Sequence, residues 1–485
     1  MNELLKMSAT RLAEMIREQE VTSLEVMQTH IDRIRKVNPV LNAVVADRFD
    51  QALDEARRAD QQTASLPAQE LAPFHGVPCT IKECFALTGM PQSSGLVARK
   101  GFVADQDATA VARLRAAGAI PVGVTNLSEL CMWYESNNRV YGRSNNPYDP
   151  GRIVGGSSGG EGAIVGAGGS PFGLGADIGG SIRMPAFFNG VFGHKPTGGM
   201  VPGTGQYPIA ANQALRYLST GPIARCAEDL MPLLVVLAGP DGIDQGSLSF
   251  ELKDPSGVDV SGLPVLVVEE NGATPVSKDL RQAQGKCAEA LADRGAKVRH
   301  ERIEGLKKSF DIWSAMLSQA GGPTFSELLG DGKPVHAFGQ LMKWIVGRSP
   351  HTLPAIVLAM IENVPKLTPG RTQKMLDAGR ALRDQLAERI GPEGVMLYPP
   401  FASPAPKHNG PLLRPFHFAY TAILNVMEMP ATQVPVGLNK QGLPLGVQVA
   451  ALHGNDHLTI AVAMELEKAL GGWTPPPSLD ALDAS

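Results

Sequence analysis

The sequence predicts an α/β fold, and three observations support this. Between residues 77 and 124, segments typical of strands and helices alternate, which is the order expected of a sheet covered by helices. The 485 residues include 53 glycines and 38 prolines, which favours many tight turns over a helical bundle. Hydrophobic residues make up 43% of the chain and charged residues 19%, so the composition is that of a globular protein with a large core.

The individual elements follow from hydrophobic periodicity and capping signals. Two amphipathic helices are expected over Ser8–Glu18 and Thr22–Val37, and the second begins with capping-box spacing and ends at Asn38-Pro39. A further helix is expected to start at Asn126. The other predicted elements are, in chain order, strand 43–46, helix 49–59, strand 77–81, helix 108–117, strand 119–124, helix 161–165, strand 172–176, helix 227–238, strand 265–268, helix 278–294 and strand 297–304.

Charge and cysteine content exclude several classes of protein. The net charge of -4 leaves no basic excess to neutralise phosphates, so nucleic acid is not an expected partner. The five cysteines are odd in number and form no C-x-x-C pair, which argues against a disulfide framework or a zinc ribbon. The first twenty residues are charged throughout, unlike a signal peptide, and the apolar runs are too short to span a bilayer. A cytoplasmic protein is therefore expected.

The chemistry is expected in a glycine-rich stretch, Gly155 to Gly198. It contains two serine islands flanked by glycines, Ser157-Ser158 and Ser181. Glycine at this density lets a substrate approach the bare backbone closely. The backbone amides of Ile178, Gly179, Gly180 and Ser181 form a row that could hold an oxyanion, and the Ser181 hydroxyl could act as the nucleophile of an acyl transfer.

Other glycine motifs do not fit this stretch. Gly190–Thr197 reads GVFGHKPT and so misses the Walker A pattern, and a Rossmann fingerprint starting at Gly173 fails because Ile178 stands at the third glycine position. The G-x-S-x-G elbow fails at Ser181 because Arg183 replaces the last glycine. The histidines are scattered without metal-ligand spacing, so neither a metal nor an organic cofactor is expected.

Upstream of this stretch, Lys82 ends the predicted strand 77–81. A lysine after an apolar run is usually a strand-end charge that reaches solvent. A catalytic base would require burial to keep the amine neutral, and only the pairing of Lys82 with the serines favours that interpretation.

These segments together resemble the amidase signature hydrolases. The resemblance rests on GVPCTIKE around Lys82, on GGSSGGEGA and GADIGGSIRMPA around the serines, and on a C-terminal pattern at Asn425–Pro430 and Gly442–Gln448. It implies a mixed central sheet with helices on both faces. It also implies that Ser181 is the nucleophile, that Ser157 sits on a cis peptide bond, and that Ser157 relays the proton to neutral Lys82.

Three residues near the serines are expected to support the site rather than to react. Asp177 and Arg183 flank the nucleophile, and we expect them to form a buried structural pair that holds the glycine loop. Ser158 is expected to orient the site. The resemblance also divides the chain into a helical segment packed on the core (1–70), a catalytic core (71–235) and the remainder of the same α/β domain (236–485).

The substrate class is suggested by two apolar segments. Cys131, Met132 and Trp133 are interpreted either as core or as one wall of an acyl pocket. Residues 336–367, within an apolar segment at about 331–375, favour a buried helical hairpin, with a hydrophobic lid or access channel as the alternative. That segment and Glu161 resemble the fatty-acid amide hydrolase branch, whose members cleave lipid amides.

The sequence therefore predicts an amide hydrolase for substrates with a hydrophobic acyl or aryl group. A carbamate or aryl-amide hydrolase and the glutaminase subunit of a tRNA-dependent amidotransferase are the alternatives. The membrane-bound fatty-acid amide hydrolases carry an N-terminal transmembrane helix that this sequence lacks, so peripheral contact but no stable membrane insertion is expected. A homodimer is compatible with the resemblance, because many members of the family are dimers.

Overall fold

The fold is a large mixed β-sheet covered by helices, seen in a computed structural model that describes residues 1–362 and 368–479. Within these residues, eleven strands form the main sheet in the order β1-β3-β2-β6-β8-β7-β12-β13-β11-β9-β10, and β4 and β5 pair separately. The strands are β1 Val44–Asp47, β2 Pro78–Lys82, β3 Ile120–Thr125, β4 Asn137–Asn138, β5 Gly142–Arg143, β6 Phe172–Asp177, β7 Phe192–Lys195, β8 Ser219–Ala224, β9 Pro264–Val267, β10 Lys297–His300, β11 Val395–Tyr398, β12 Ala431–Leu438 and β13 Pro444–Ala451.

The helices cover the sheet and extend beyond it. They are α1 Ala9–Arg17, α2 Ser23–Leu41, α3 Phe49–Ser65, α4 Thr109–Ala116, α5 Gly159–Gly166, α6 Arg183–Phe188, α7 Ala214–Tyr217, α8 Leu230–Leu237, α9 Lys278–Asp293, α10 Ser309–Ala320, α11 Phe325–Leu329, α12 Ala337–Ile345, α13 Leu353–Ile361, α14 Pro369–Ile390, α15 Ala419–Val426 and α16 Asp456–Leu470. In the described parts of the chain, no helix has both the length and the hydrophobicity that crossing a membrane requires.

Helices pack on both faces of the sheet, as β11 illustrates. Val395 and Leu397 belong to one hydrophobic cluster, together with α8, α9 and α16. Met396 and Tyr398 belong to another cluster, together with α10, α14 and α15. Because successive side chains of a strand point to opposite faces, the two clusters lie on the two sides of the sheet. The predicted α/β class with helices on both faces is confirmed.

The strand pairing brings the ends of three strands together. β2 lies between β3 and β6 and runs parallel to both. Lys82, Thr125 and Asp177 are the last residues of these strands. They therefore lie along one edge of the sheet, the carboxyl edge at which α/β proteins usually bind their ligands.

Two predicted helix boundaries are wrong. The second helix continues past Asn38-Pro39 to Leu41, because the side chain of Leu41 is buried and left-handed Asn42 caps the helix. The helix predicted to start at Asn126 does not form, and the structure has a short 3-10 turn at Glu129–Cys131 instead. Leu130 and Cys131 adopt left-handed backbone angles, which an α-helix cannot contain.

The prediction of a buried hairpin within residues 336–367 is also wrong. The segment does form two helices, α12 and α13, but no residue of α12 is buried. Phe338, Ile345 and Val346 are exposed. α13 buries Ala355, Ile356 and Ala359, and residues 363–367 lie outside the described part of the chain.

Candidate active site

The site begins with a short hydrogen bond between two buried side chains. Lys82 ends β2 with its side chain fully buried, and its Nζ donates to Ser157 Oγ at 2.7 Å. The two residues are far apart in the sequence, and the parallel placement of β2 beside β6 brings them together. The predicted pairing of the strand-end lysine with the first serine island is present in the structure.

The first serine island is held by backbone contacts. The peptide bond between Gly156 and Ser157 is cis. Ser136 Oγ lies 3.0 Å from the carbonyl oxygen of Gly155 and 3.2 Å from that of Ser157. A Cβ atom at position 156 would lie 2.5 Å from the carbonyl oxygen of Trp133, so only glycine fits here.

Ser158 connects the first island to the second. Its backbone amide donates to the carbonyl oxygen of Ser181 at 3.2 Å. Its Oγ donates to the carbonyl oxygen of Ala176 in β6 at 3.3 Å. The Ser158 side chain therefore contacts the backbone of the sheet, which agrees with its predicted supporting position.

Asp177 and Arg183 form a buried ion pair directly beneath Ser181. Arg183 Nε lies 3.0 Å from one carboxylate oxygen of Asp177, and the second guanidinium contact is also 3.0 Å. Both side chains are fully buried. Burial raises the pKa of Asp177, but the Arg183 charge and the hydrogen bonds to the carboxylate outweigh it, so the net pKa is well below its usual value. Asn425 Nδ2 donates to the Asp177 carbonyl oxygen at 2.8 Å and extends this network to α15.

Of the four predicted oxyanion amides, one is already engaged. The Gly180 N–H donates to Asp177 Oδ1 at 2.6 Å, because the same carboxylate that pairs with Arg183 also closes the glycine turn. Gly180 has a φ of 117°, and a Cβ there would lie 2.1 Å from Thr421 Oγ1. The amides of Ile178, Gly179 and Ser181 donate to no other residue of the described chain.

A pocket of about 370 Å³, part of it open solvent, lies against this turn. Ser181 lines it, and so do all three residues predicted as its wall, Cys131, Met132 and Trp133. The described part of 336–367 does not line it. The remaining lining residues come from the glycine segments and from α6, α10 and the turn before α15: Tyr134, Gly156, Ile178, Gly179, Met184, Trp313 and Phe418.

Trp313 and Phe418 were not predicted from the sequence. Their rings meet edge to face with centroids 5.1 Å apart, and Trp313 Nε1 donates to the carbonyl oxygen of Ile178 at 3.0 Å. Both residues are distant in sequence from the glycine-rich stretch, and neither lies in a motif. Only the packing of α10 against α15 places them at the site.

Glu161 is buried close to Lys82. Its carboxylate accepts hydrogen bonds from Thr80 Oγ1 at 2.5 Å and Thr125 Oγ1 at 2.8 Å. Burial raises its pKa from 4.5 to about 8, against the opposing effect of these hydrogen bonds and of the Lys82 charge. In the described residues, no group of three histidine, cysteine or acidic side chains is placed to hold a metal ion.

Comparison with known proteins decides the family. The model of the family described as Amidase matches residues 25–460. The chain belongs to the amidase family. Amidases of this family hydrolyse carbon–nitrogen amide bonds, and this protein is such a hydrolase.

Its relatives and structural neighbours are amide hydrolases as well. Human "Fatty-acid amide hydrolase 2" is 48% identical over 98% of this chain and 91% of its own length. The "Acylamidase" of Rhodococcus erythropolis is 30% identical over 98% of each chain. The structure of "6-aminohexanoate cyclic dimer hydrolase" superimposes with a TM-score of 0.81 at 27% identity, covering 98% of this chain and 99% of the other. This amidase is thus similar to the fatty-acid amide hydrolases over nearly its whole length.

Proposed function

We propose that this amidase hydrolyses amides that carry a hydrophobic acyl or aryl group, through an acyl-enzyme formed on Ser181. The observation that carries the proposal is the 2.7 Å hydrogen bond from Lys82 to Ser157, next to a pocket that Ser181 lines. Ser181 is the nucleophile, Ser157 the proton relay and Lys82 the base. This is a serine–lysine variant of the serine hydrolase mechanism.

The proton follows the hydrogen bond. Ser181 attacks the carbonyl carbon, its proton passes to Ser157, and the Ser157 proton passes to the uncharged amine of Lys82. The same path returns the proton to the departing nitrogen, because an amide nitrogen leaves only when protonated. Water then hydrolyses the acyl-enzyme and restores Ser181.

The negative charge on the tetrahedral carbonyl oxygen is stabilised by backbone amides. Those of Ile178, Gly179 and Ser181 have no other acceptor in the described chain, whereas the Gly180 amide serves Asp177. Removing one donor of this kind costs about 3–4 kcal/mol of transition-state stabilisation. Asp177 and Arg183 hold the turn that presents these amides.

The pocket lining supports a hydrophobic substrate. Met132, Trp133, Met184, Trp313 and Phe418 surround it, and no lining residue is charged. A glutaminase has to fix the α-amino group and the carboxylate of glutamine, which requires charged partners. The lining therefore favours a lipid or aryl amide over glutamine, while an aryl carbamate presents a similar carbonyl to the same residues.

We further propose that the hairpin α12–α13 touches a lipid surface. Phe338, Met342, Ile345 and Val346 are exposed apolar side chains, and Lys343 lies exposed among them. Exposed apolar groups interleaved with cations are typical of helices that lie in a membrane interface.

The activity is tested by hydrolysis of p-nitroanilides over an acyl series from acetyl to dodecanoyl, with Ser181→Ala as the blank. We expect kcat/KM to rise with chain length, because each methylene buried in an apolar pocket contributes about 0.8 kcal/mol. A flat or falling series would contradict the hydrophobic pocket and favour small amides or carbamates. Normal turnover by Ser181→Ala would contradict the mechanism.

A further inference from the structure

Two thiols lie beside the proposed catalytic residues, and the mechanism uses neither. Cys84 follows Lys82 by two positions and is completely buried. Cys131 lines the pocket together with Ser181 and is partly exposed. The two thiols are hydrogen-bonded neighbours, and Ser157 also hydrogen-bonds to the Cys131 sulfur.

The backbone fixes the position of Cys131. Leu130 and Cys131 have φ angles of 51° and 60°, which residues other than glycine rarely adopt. The Leu130 N–H donates to the carbonyl oxygen of Ser94 at 2.8 Å, and Cys131 Sγ lies 3.6 Å from Ser94 Oγ. Glu83 holds this loop in turn, since its carboxylate accepts from the Ser94 amide at 2.7 Å.

The surroundings of Cys131 favour the thiolate. The hydrogen bond with Cys84 lowers its pKa most; burial opposes this, and the Lys82 charge together with Ser94 and Ser157 lowers the pKa further. Cys226 provides a contrast within the same chain. It is also partly exposed, but burial and the nearby Asp229 raise the pKa of its thiol.

We propose that Cys131 is a covalent modification site for apolar α,β-unsaturated aldehydes and ketones that enter the amide-binding pocket. A nucleophilic sulfur at the wall of an apolar pocket combines the reactivity that such carbonyl compounds require with the surface that binds their hydrocarbon chains. Met132, Trp133, Trp313 and Phe418 supply that surface. The adduct occupies the place of an amide substrate and so blocks hydrolysis.

The addition needs no further reagent. The Cys131 sulfur forms a bond to the β-carbon, the π electrons of the carbon–carbon double bond move toward the carbonyl, and an enolate results. The proton that left the thiol, held meanwhile by Lys82 or water, then returns to the α-carbon. The product is a saturated thioether, nothing leaves, and no oxidant or reductant takes part.

The test measures labelling rather than hydrolysis, and it uses the full chain. Wild type, Ser181→Ala and Cys131→Ser are treated with trans-2-nonenal, reduced with borohydride to fix the adduct, and mapped by peptide mass spectrometry. We expect Cys131 to be labelled at least about tenfold faster than Cys226 in wild type and in Ser181→Ala. Labelling in Ser181→Ala separates this proposal from the proposed function, because it does not depend on Ser181.

Chain length and activity supply the remaining controls. Relative to glutathione, the labelling rate should be higher for 2-nonenal than for acrolein, which lacks the hydrocarbon chain. In wild type, loss of p-nitroanilide hydrolysis should follow labelling of Cys131 in time, and Cys226→Ser should lose activity at the same rate. Equal labelling of Cys226 and Cys131, absence of an adduct at Cys131, or full activity of the labelled enzyme would each overturn the proposal.

Discussion

Ser157 and Ser158 are neighbours in the chain but contact different groups. The Ser157 hydroxyl accepts the hydrogen bond from Lys82, whereas the Ser158 hydroxyl bonds to the backbone carbonyl of Ala176. The difference arises because the chain enters α5 directly after Ser158, so the two side chains point to opposite sides of the island. The pair therefore offers a matched test of the proton relay.

We expect Ser157→Ala to lower kcat by about 10²–10⁴-fold, the usual contribution of a positioned proton-transfer group. Ser158→Ala should retain kcat within about one order of magnitude and lose about 1 kcal/mol of unfolding free energy with its hydrogen bond. Steady-state kinetics and urea denaturation on both variants check this. Comparable loss of kcat in the two variants would remove the relay role from Ser157.

The roles of these residues were predicted from a local pattern, and their surroundings were not. GGSSGGEGA and GADIGGSIRMPA place the serines and the amides because the glycines dictate the local backbone. The engagement of the Gly180 amide by Asp177 could not be read from the same letters, since it depends on how the turn closes over the carboxylate. Residues whose function is set by neighbours in sequence are predictable, and those set by tertiary contacts are not.

At the scale of elements, the turn Glu129–Cys131 links the pocket to the α12–α13 hairpin. The Glu129 carboxylate accepts hydrogen bonds from the Thr352 amide at 2.7 Å and the Thr352 hydroxyl at 2.8 Å, at the start of α13. His351 Nδ1 lies 2.8 Å from the same carboxylate. Leu130 packs into the hydrophobic cluster that α11 and α13 share. The pocket wall is thus anchored in the hairpin.

This linkage also explains the failed helix prediction at Asn126. The sequence there has helical spacing, but a helix would withdraw Leu130 from the cluster and Glu129 from α13. The buried contacts outweigh the weak local preference, and the chain forms the left-handed turn instead. The strands, in contrast, were predicted nearly to the residue, because their apolar runs are buried on both faces.

For the hairpin, we expect Ile345→Glu/Val346→Glu to reduce binding to anionic phospholipid vesicles and to lower kcat/KM for the dodecanoyl but not the acetyl anilide in their presence. These side chains are 62% and 65% exposed, so the charges cost little folding stability. Ile243→Glu is the matched control, because Ile243 is 67% exposed and lies outside the hairpin. Vesicle co-sedimentation measures binding, and equal binding by all variants would exclude the hairpin as the contact.

At the scale of the whole molecule, buried polar groups are concentrated along the carboxyl edge of the sheet. Lys82, Glu161, Asp177 and Arg183 are all fully buried there. Burying such groups is costly unless they are paired, and here hydrogen bonds and ion pairs satisfy them. Their burial couples the stability of the fold to pH, and Glu161 provides the clearest case.

The pKa of Glu161 is raised from 4.5 to about 8 by burial, so between these values the folded chain keeps a proton that the unfolded chain releases. The contribution of Glu161 to the unfolding free energy therefore falls as pH rises from 4.5 to 8 and is constant outside that window. Glu161→Gln removes this dependence. We expect the variant to gain stability relative to wild type as the pH rises from 5 to 8, measured as the urea midpoint at each pH. Glu289→Gln, at an exposed position in α9, controls for the loss of one carboxylate. A constant difference between Glu161→Gln and wild type across this range would mean that Glu161 is ionised in the fold, and the thiol and lysine beside it would then face a fixed negative charge.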